Sequence, residues 1–170
     1  MRRCEGGSYM RGLIGHFKLV RLVVWIGLTL SSGLSYGFVE LPLKRLDSQT
    51  YSSLQALHRS AMTLSFFTPE CSWCKKQHRV LKELSIVCRG INPVMVGING
   101  NDSGYKRALR RMSNEFPAII APKPLQAGLE NNHVPRIIVV GADWQVVANL
   151  VGYVDKASLM VTFQQEGICA

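Results

Sequence analysis

The sequence predicts an α/β domain built on one mixed sheet with helices on both faces. Three observations carry this. Short apolar runs rich in β-formers, at residues 62–67, 93–98 and 136–140, are set among segments with helical periodicity. The first two runs are joined through a helical pattern at residues 72–87, where Val80, Leu81, Leu84 and Val87 share a face, so they form a parallel pair with a right-handed crossover. The third run is followed by the turn Gly141-Ala142-Asp143 and a return strand from Trp144 to Val151, an antiparallel hairpin. Both kinds of pair in one sheet, with helices between them, make a layered sandwich.

The chain has 170 residues, which suits one domain. Hydrophobic residues at 47% and charged residues at 18% argue against wholesale disorder. No fixed-period repeat is visible, so solenoids and propellers are excluded. No stretch offers twenty clean apolar residues, which excludes a multi-span membrane protein.

Residues 1–37 read as an address. Arg2, Arg3, Arg11, Lys18 and Arg21 precede the apolar stretch 22–34, and Ser35-Tyr36-Gly37 places small residues where a signal peptidase reads them. The expected cut follows Gly37, and Met10 is an alternative start. The other reading is a retained anchor, with residues 19–34 as a membrane tether whose Lys18 and Arg21 snorkel. Thirteen apolar residues rise about 20 Å, short of the roughly 30 Å of a hydrocarbon core. Either way the rest is exported, to a periplasmic or equivalent compartment. Of the 20 basic side chains, five lie in this segment, so much of the formal +9 belongs to it.

The remainder divides into an N-terminal extension with a helix (residues 38–61), a main domain (62–166) and a C-terminal tail (167–170). The helix is expected over residues 47–59, with Asp47 as N-cap and Tyr51, Leu54 and Leu57 on one face. After the strand at 62–67, Pro69 ends the run. Gly90 and Pro93 close the helix at 72–87. A loop at 99–104 leads to a helix capped by Asp102 or Ser103 and running to about Phe116. Pro117, Pro122 and Pro124 make the next stretch irregular. Asp155 caps a closing helix to Gln165. The basic runs 75–79 and 106–111 read as solvated helix faces; with no nucleic-acid motif in an exported chain, no nucleic-acid partner is expected.

The chemistry is expected at Cys71-Ser72-Trp73-Cys74, between a strand and the start of a helix. A helix amino terminus presents unpaired N–H groups and about half a positive charge. A thiolate there is stabilised, so its pKa falls and it becomes the attacking species near neutral pH. Cys71 should be the more exposed sulfur and Cys74 the more buried one. Other uses of the pair compete with this one. A zinc site wants four ligands, and only Cys88, Cys169 and His78 are available beside this single CxxC, so no metal is expected. Lys75 stands where covalent haem attachment needs His. A purely structural disulfide is open to an exported chain.

The run Leu64-Ser65-Phe66-Phe67-Thr68-Pro69-Glu70-Cys71-Ser72-Trp73-Cys74-Lys75-Lys76-Gln77, followed downstream by His133-Val134-Pro135 and a strand, resembles the thioredoxin superfamily. The resemblance covers roughly residues 62–165 and implies a thioredoxin-like three-layer sandwich. It also implies a redox pair Cys71–Cys74 that needs no other cofactor, and a cis Val134–Pro135 bond beside it that receives substrate. Trp73 is expected to touch substrate with Val134 and Pro135. Glu70 and Lys75 are candidates for tuning the thiol pKa, because Ser65 stands where cytoplasmic members carry a buried Asp. An aromatic residue before the second cysteine is similar to exported disulfide isomerases, including conjugation-associated ones. Cys74-Lys75-Lys76 is similar to reductases of the cytochrome-maturation type, although Gln77 stands where many of those carry Glu. The implied activity is thiol–disulfide exchange with protein substrates, either as reductase or as isomerase, with a membrane redox partner restoring the working state. The alternative is a non-catalytic adaptor braced by a fixed Cys71–Cys74 bond.

Cys88 is open to three fates: a bridge to Cys169, a bond to another protein, or a buried inert thiol. Cys169 sits in a tail expected to fray. His58, His78 and His133 read as surface or loop residues, with His133 near enough to Pro135 to tune the site.

Overall fold

The computed structural model describes residues 42–48, 50–58, 60–129 and 132–169. The expected address, its cut after Gly37 and the tether at 19–34 lie outside them. Among the described residues no helix is long and apolar enough to cross a membrane.

The main sheet has five strands in the order β5-β4-β3-β6-β7. They are β3 (Met62–Phe67), β4 (Pro93–Gly97), β5 (Ala118–Ile120), β6 (Arg136–Val140) and β7 (Val146–Val151). β3 pairs in parallel with β4, and β4 with β5, while β6 lies antiparallel to β3 and β7 to β6. The expected parallel pair and late hairpin are therefore both present, with β3 joining them. Every residue of β3 and β4 is buried, so the sheet is covered on both faces. That explains why these runs read as continuous apolar segments rather than alternating ones.

Three helices pack over the sheet around two apolar clusters. Helix α2 (Ser72–Val87) contributes Val80, Leu81 and Leu84 to a cluster completed by Ile137, Val139 and two residues of α5 (Lys156–Gln165), Leu159 and Phe163. Helix α3 (Asp102–Met112) places Tyr105, Ala108 and Leu109 with Phe67, Met95 and Cys74. Asp155 caps α5 as expected, accepting from the N–H groups of Ala157 and Ser158.

The N-terminal extension differs from the expected helix. Its residues form a two-stranded hairpin, β1 (Leu43–Lys44) and β2 (Tyr51–Ser52), followed by the single turn α1 (Leu54–Leu57). Asp47 caps nothing: its carboxylate is taken by the Arg45 guanidinium, which holds its pKa below the usual range. Ser53 caps α1 instead, accepting from Ala56 N–H at 3.1 Å. The hairpin covers the β5 edge, where Leu46 N–H donates to the Ala118 carbonyl at 2.8 Å and Arg45 bridges Ile119. Open sheet edges invite foreign pairing, and this one is occupied from within the chain.

Four smaller departures follow from local chemistry. Asn101, not Asp102, caps α3, accepting from Gly104 N–H at 2.9 Å, while Asp102 pairs with Lys44. Helix α3 stops at Met112 because Ser113 turns left-handed (φ 52°). Two elements, β5 and α4 (Lys123–Gly128), occupy the stretch read as irregular. Trp144 is left-handed (φ 66°) and stacks on His58 at 4.0 Å, so the return strand begins at Val146.

The tail does not fray at Cys169. Ile168 and Cys169 donate to the Phe163 carbonyl at 2.8 and 3.2 Å, and Cys169 is bonded to Cys88 across a Cα–Cα distance of 5.4 Å. Of the three fates open to Cys88, the bridge is the one observed.

Candidate redox site

The segment after β3 turns sharply, with Cys71 N–H donating to the Thr68 carbonyl at 3.3 Å, and α2 begins at once. Cys71 is the N-cap of that helix. Its Sγ accepts from Cys74 N–H at 3.0 Å, which puts the sulfur on the helix's unpaired donors. The two sulfurs are bonded, with the Cα atoms 5.2 Å apart. Cys71 is partly exposed and Cys74 is buried at 2%. This is the asymmetry expected of an attacking and a resolving sulfur. When the bond opens, a thiolate at Cys71 meets the Cys74 N–H and the positive end of a sixteen-residue helix, which favours the ionised form.

The expected site residues fall into two groups, one lining a groove and one around an aromatic pair. The shallow groove, of about 230 Å³, runs between the α2 amino terminus and α3, lined by Pro69, Glu70, Cys71, Lys75, Arg111 and Met112 among others. Glu70 is 84% exposed there and lies 3.7 Å from Arg111. Arg111 also donates to the Pro69 carbonyl at 2.6 Å, which ties α3 to the turn before Cys71. In the second group is Trp73, 51% exposed, with its ring 5.5 Å from Tyr153 and the Lys76 ammonium 3.9 Å over its face. A cation over indole is a favourable contact.

The Val134–Pro135 peptide bond is cis. Val134 packs on the same cluster as Cys71 and Cys74. The Pro135 carbonyl accepts from Gly152 N–H at 2.8 Å, which fixes the end of β7 beside it. Ser65 is buried on β3 at 2%, so a hydroxyl occupies that strand position. His133 is exposed, with no contact to the cysteine pair among the described interactions.

Three residues of this region were not anticipated. Tyr153 follows the strand-ending Gly152 and partners Trp73. Gln77 is fully buried and binds the main chain of Val154 on both sides. His78, expected at the surface, is 2% exposed; its Nε2 lies 2.9 Å from Asn114 Oδ1 and its ring 5.2 Å from Phe116. Asn114 Nδ2 donates to the Phe116 carbonyl at 2.7 Å, so Oδ1 is the acceptor and His78 Nε2 carries the proton. The one signal for Gln77 and His78 was helical phase: Gln77, His78, Leu81 and Leu84 stand three and four residues from Cys74 or from one another, on the buried face.

No family model matches the sequence, and no curated protein matches it. Solved structures do. The thioredoxin domain of a thiol-disulfide oxidoreductase from Bacteroides vulgatus matches with a TM-score of 0.59 at 16% identity, over 74% of this chain and 91% of that one. A secreted Mycobacterium tuberculosis disulfide oxidoreductase homologous to E. coli DsbE matches with a TM-score of 0.62 at 14% identity, over 76% and 98%. A thioredoxin-related protein from Neisseria meningitidis serogroup B gives 0.63 at 14% identity, over 74% and 98%. At these identities the likeness is one of architecture: the chain has a thioredoxin-like fold.

Proposed function

We propose that this protein is an exported thiol–disulfide oxidoreductase that acts on protein substrates through Cys71 and Cys74. The observation that carries the reading is the placement of Cys71. It is partly exposed, caps a sixteen-residue helix, and is bonded to a buried Cys74 one turn further on. In the reducing direction the Cys71 thiolate attacks one sulfur of a substrate disulfide and expels the other as thiolate. The Cys74 thiolate then attacks Cys71 Sγ, expels the second substrate thiolate and closes the Cys71–Cys74 bond. Two electrons pass to the substrate. An isomerase stops at the mixed disulfide and lets a substrate thiol displace Cys71. A membrane redox partner would return the pair to its working state, and a cleaved or anchoring segment at residues 1–37 would deliver the protein.

The remaining roles follow from position. Val134 packs in one cluster with Cys71 and Cys74 and would receive the substrate chain together with its cis neighbour Pro135 and with Trp73, Tyr153 extending the apolar surface. Lys75, exposed on the first turn of α2, adds positive charge that favours thiolate. Glu70 is exposed and lies by Arg111, so any influence it has on the thiols is exerted through solvent.

The test is to replace Cys74 by Ala in the exported protein and separate the products without reductant. Partners linked through Cys71 are expected, and they should vanish in Cys71→Ala. If no partner is trapped and the native protein exchanges no thiols in solution, Cys71–Cys74 is a fixed brace and the enzyme reading is wrong.

A further inference from the structure

We propose that the groove between α2 and α3 is a specificity site for an acidic side chain close to the target cysteine, so that the substrates are proteins whose reactive cysteine has Asp or Glu within two or three residues. This inference rests on the oxidoreductase reading and deepens it. Four observations carry it.

The groove opens against the reacting atom, because Cys71 is part of its wall. An extended chain advances about 3.3 Å per residue, so a side chain two or three positions from a cysteine seated on Cys71 reaches the groove. The rim is cationic. Lys75 and Arg111 line it, and Arg107 stands exposed on the same helix as Arg111. The other two cations of α3, Lys106 and Arg110, line a separate groove with Asp47, so Lys75 and Arg111 are the cations in the wall beside Cys71.

The acidic wall residue is also easily displaced. Glu70 sits 3.7 Å from Arg111 and is 84% exposed, and such surface pairs contribute little. A substrate carboxylate replaces Glu70 on Arg111 at small cost. Finally, Arg111 is held in place before any substrate arrives. One of its five N–H donors is spent on the Pro69 carbonyl at 2.6 Å, which anchors the guanidinium in the groove wall and leaves four donors for a carboxylate. Ala108 and Met112 supply an apolar floor for the methylenes of the incoming side chain. Trp73 and Tyr153 are not among the residues that line the groove, so the substrate chain meets the aromatic pair and the cationic wall as separate contacts.

The test uses the full chain in its reduced form and two peptide disulfides, identical except that the residues two positions either side of the cysteine are Glu in one and Lys in the other. Rates of peptide reduction are followed by release of a reporter thiol. At low ionic strength the Glu peptide should react on the order of ten times faster, and the ratio should fall below about threefold at 0.5 M salt, where charges are screened within a few ångströms. Lys75→Gln/Arg111→Gln should abolish most of the ratio. Arg89→Gln/Lys156→Gln, which removes the same charge elsewhere, should preserve it. Equal rates for the two peptides in the native protein overturn the proposal and leave the oxidoreductase reading standing. A ratio lost equally in both double variants also overturns it, since net charge would then be the cause. Where the double variant folds poorly, Lys75→Gln alone, at an exposed helix position, should still lower the ratio more than Lys156→Gln alone, and equal ratios in those two single variants overturn the proposal. If neither peptide is reduced at all, the oxidoreductase reading fails and this inference falls with it.

Discussion

The carboxamide of Gln77 closes two hydrogen bonds with the main chain of Val154: Val154 N–H donates to Oε1 at 2.8 Å, and Nε2 donates to the Val154 carbonyl at 3.1 Å. One buried side chain on the redox helix thus docks the turn after β7, the turn that carries Gly152 onto Pro135 and Tyr153 onto Trp73. The arrangement needs one donor and one acceptor, which an amide supplies at every pH. An ionised carboxylate supplies only acceptors and would face the Val154 carbonyl.

Gln77→Glu is therefore expected to lose about 1–3 kcal/mol at pH 7, the cost of an unsatisfied buried group. The substituted carboxyl has its folded-state pKa raised above the ordinary value of about 4.3. Its contribution is then fully present below that value and is lost as pH rises through the raised one. Urea unfolding at pH 4 and pH 7 should show the deficit of Gln77→Glu relative to the native protein shrinking at pH 4. Gln77→Ala, which cannot titrate, should show the same deficit at both. A pH-independent deficit for Gln77→Glu would mean that the paired bonds are not what holds the turn.

The sequence made the sheet and the redox helix legible because both are written in local pattern. The strand at 136–140 and the helix at 72–87 have the observed bounds, since each is set off by a proline, a glycine or a cap within two residues. The cis proline was legible only through the resemblance. What was missed depends on partners distant in the chain. Residues 47–59 carry a helical spacing, but Arg45 takes the carboxylate of the expected cap, and the β5 edge takes the strand before it. β5 is three residues between Pro117 and Pro122, too short to show any period. Tyr153 and Arg111 join the site only because a β7 turn and an α3 surface fold against α2. Gln77 and His78, set among Lys75, Lys76 and Arg79, carry only the helical phase as a mark of burial until their partners, Val154 and Asn114, are in place.

His78 gives the second prediction. Burial is the main influence on its pKa and lowers it; the Asn114 hydrogen bond opposes, and the facing charges Lys82 and Glu115 pair with one another. A His with a depressed folded-state pKa leaves the unfolded chain binding more protons below the ordinary value of about 6.5. Stability should therefore hold above that pH and decline as pH falls below it. His78→Gln keeps a donor toward Asn114 but does not titrate. Between pH 7 and pH 5 the native protein should lose more in Tm than His78→Gln does. Parallel loss in the two proteins would assign the acid sensitivity to other groups.

Gly100 gives the third. A Cβ there would lie 2.6 Å from Pro69 Cγ and 2.9 Å from Tyr105 Cε1, and both belong to rings that cannot swing aside. Tyr105 is also tied down, its hydroxyl accepting from Gly100 N–H at 2.8 Å. Gly100→Ala should cost about 1–3 kcal/mol as an overpacking change. Because Pro69 forms part of the groove beside Cys71, the strain should also slow thiol exchange. Gly128, where an added Cβ would meet nothing within 4 Å, is the control: Gly128→Ala should be neutral or slightly stabilising in the urea midpoint and leave exchange unchanged.

The two disulfides should part under graded reduction. Cys71 lines an open groove, whereas Cys88 and Cys169 are 5% and 8% exposed and lie against the apolar cluster of α2, β6 and α5. A small reductant reaches the first bond in the folded protein and reaches the second only after the C-terminal turn lifts away. Alkylation followed by mass measurement of the digested protein should therefore find Cys71 and Cys74 modified over a broad range of reductant, and Cys88 and Cys169 modified only where the fold is lost. The reason for that second threshold is thermodynamic as well as steric. Cys88–Cys169 closes a loop with a sequence separation of 81, and a cross-link of that span restricts the unfolded chain strongly. Removing it in Cys88→Ala/Cys169→Ala should cost about 2–5 kcal/mol, read as a lower urea midpoint, while exchange at Cys71 persists below that midpoint. Simultaneous opening of both bonds, or an unchanged midpoint in the double variant, would show that the bridge does not fasten the chain after α5 to the C-terminal end of α2.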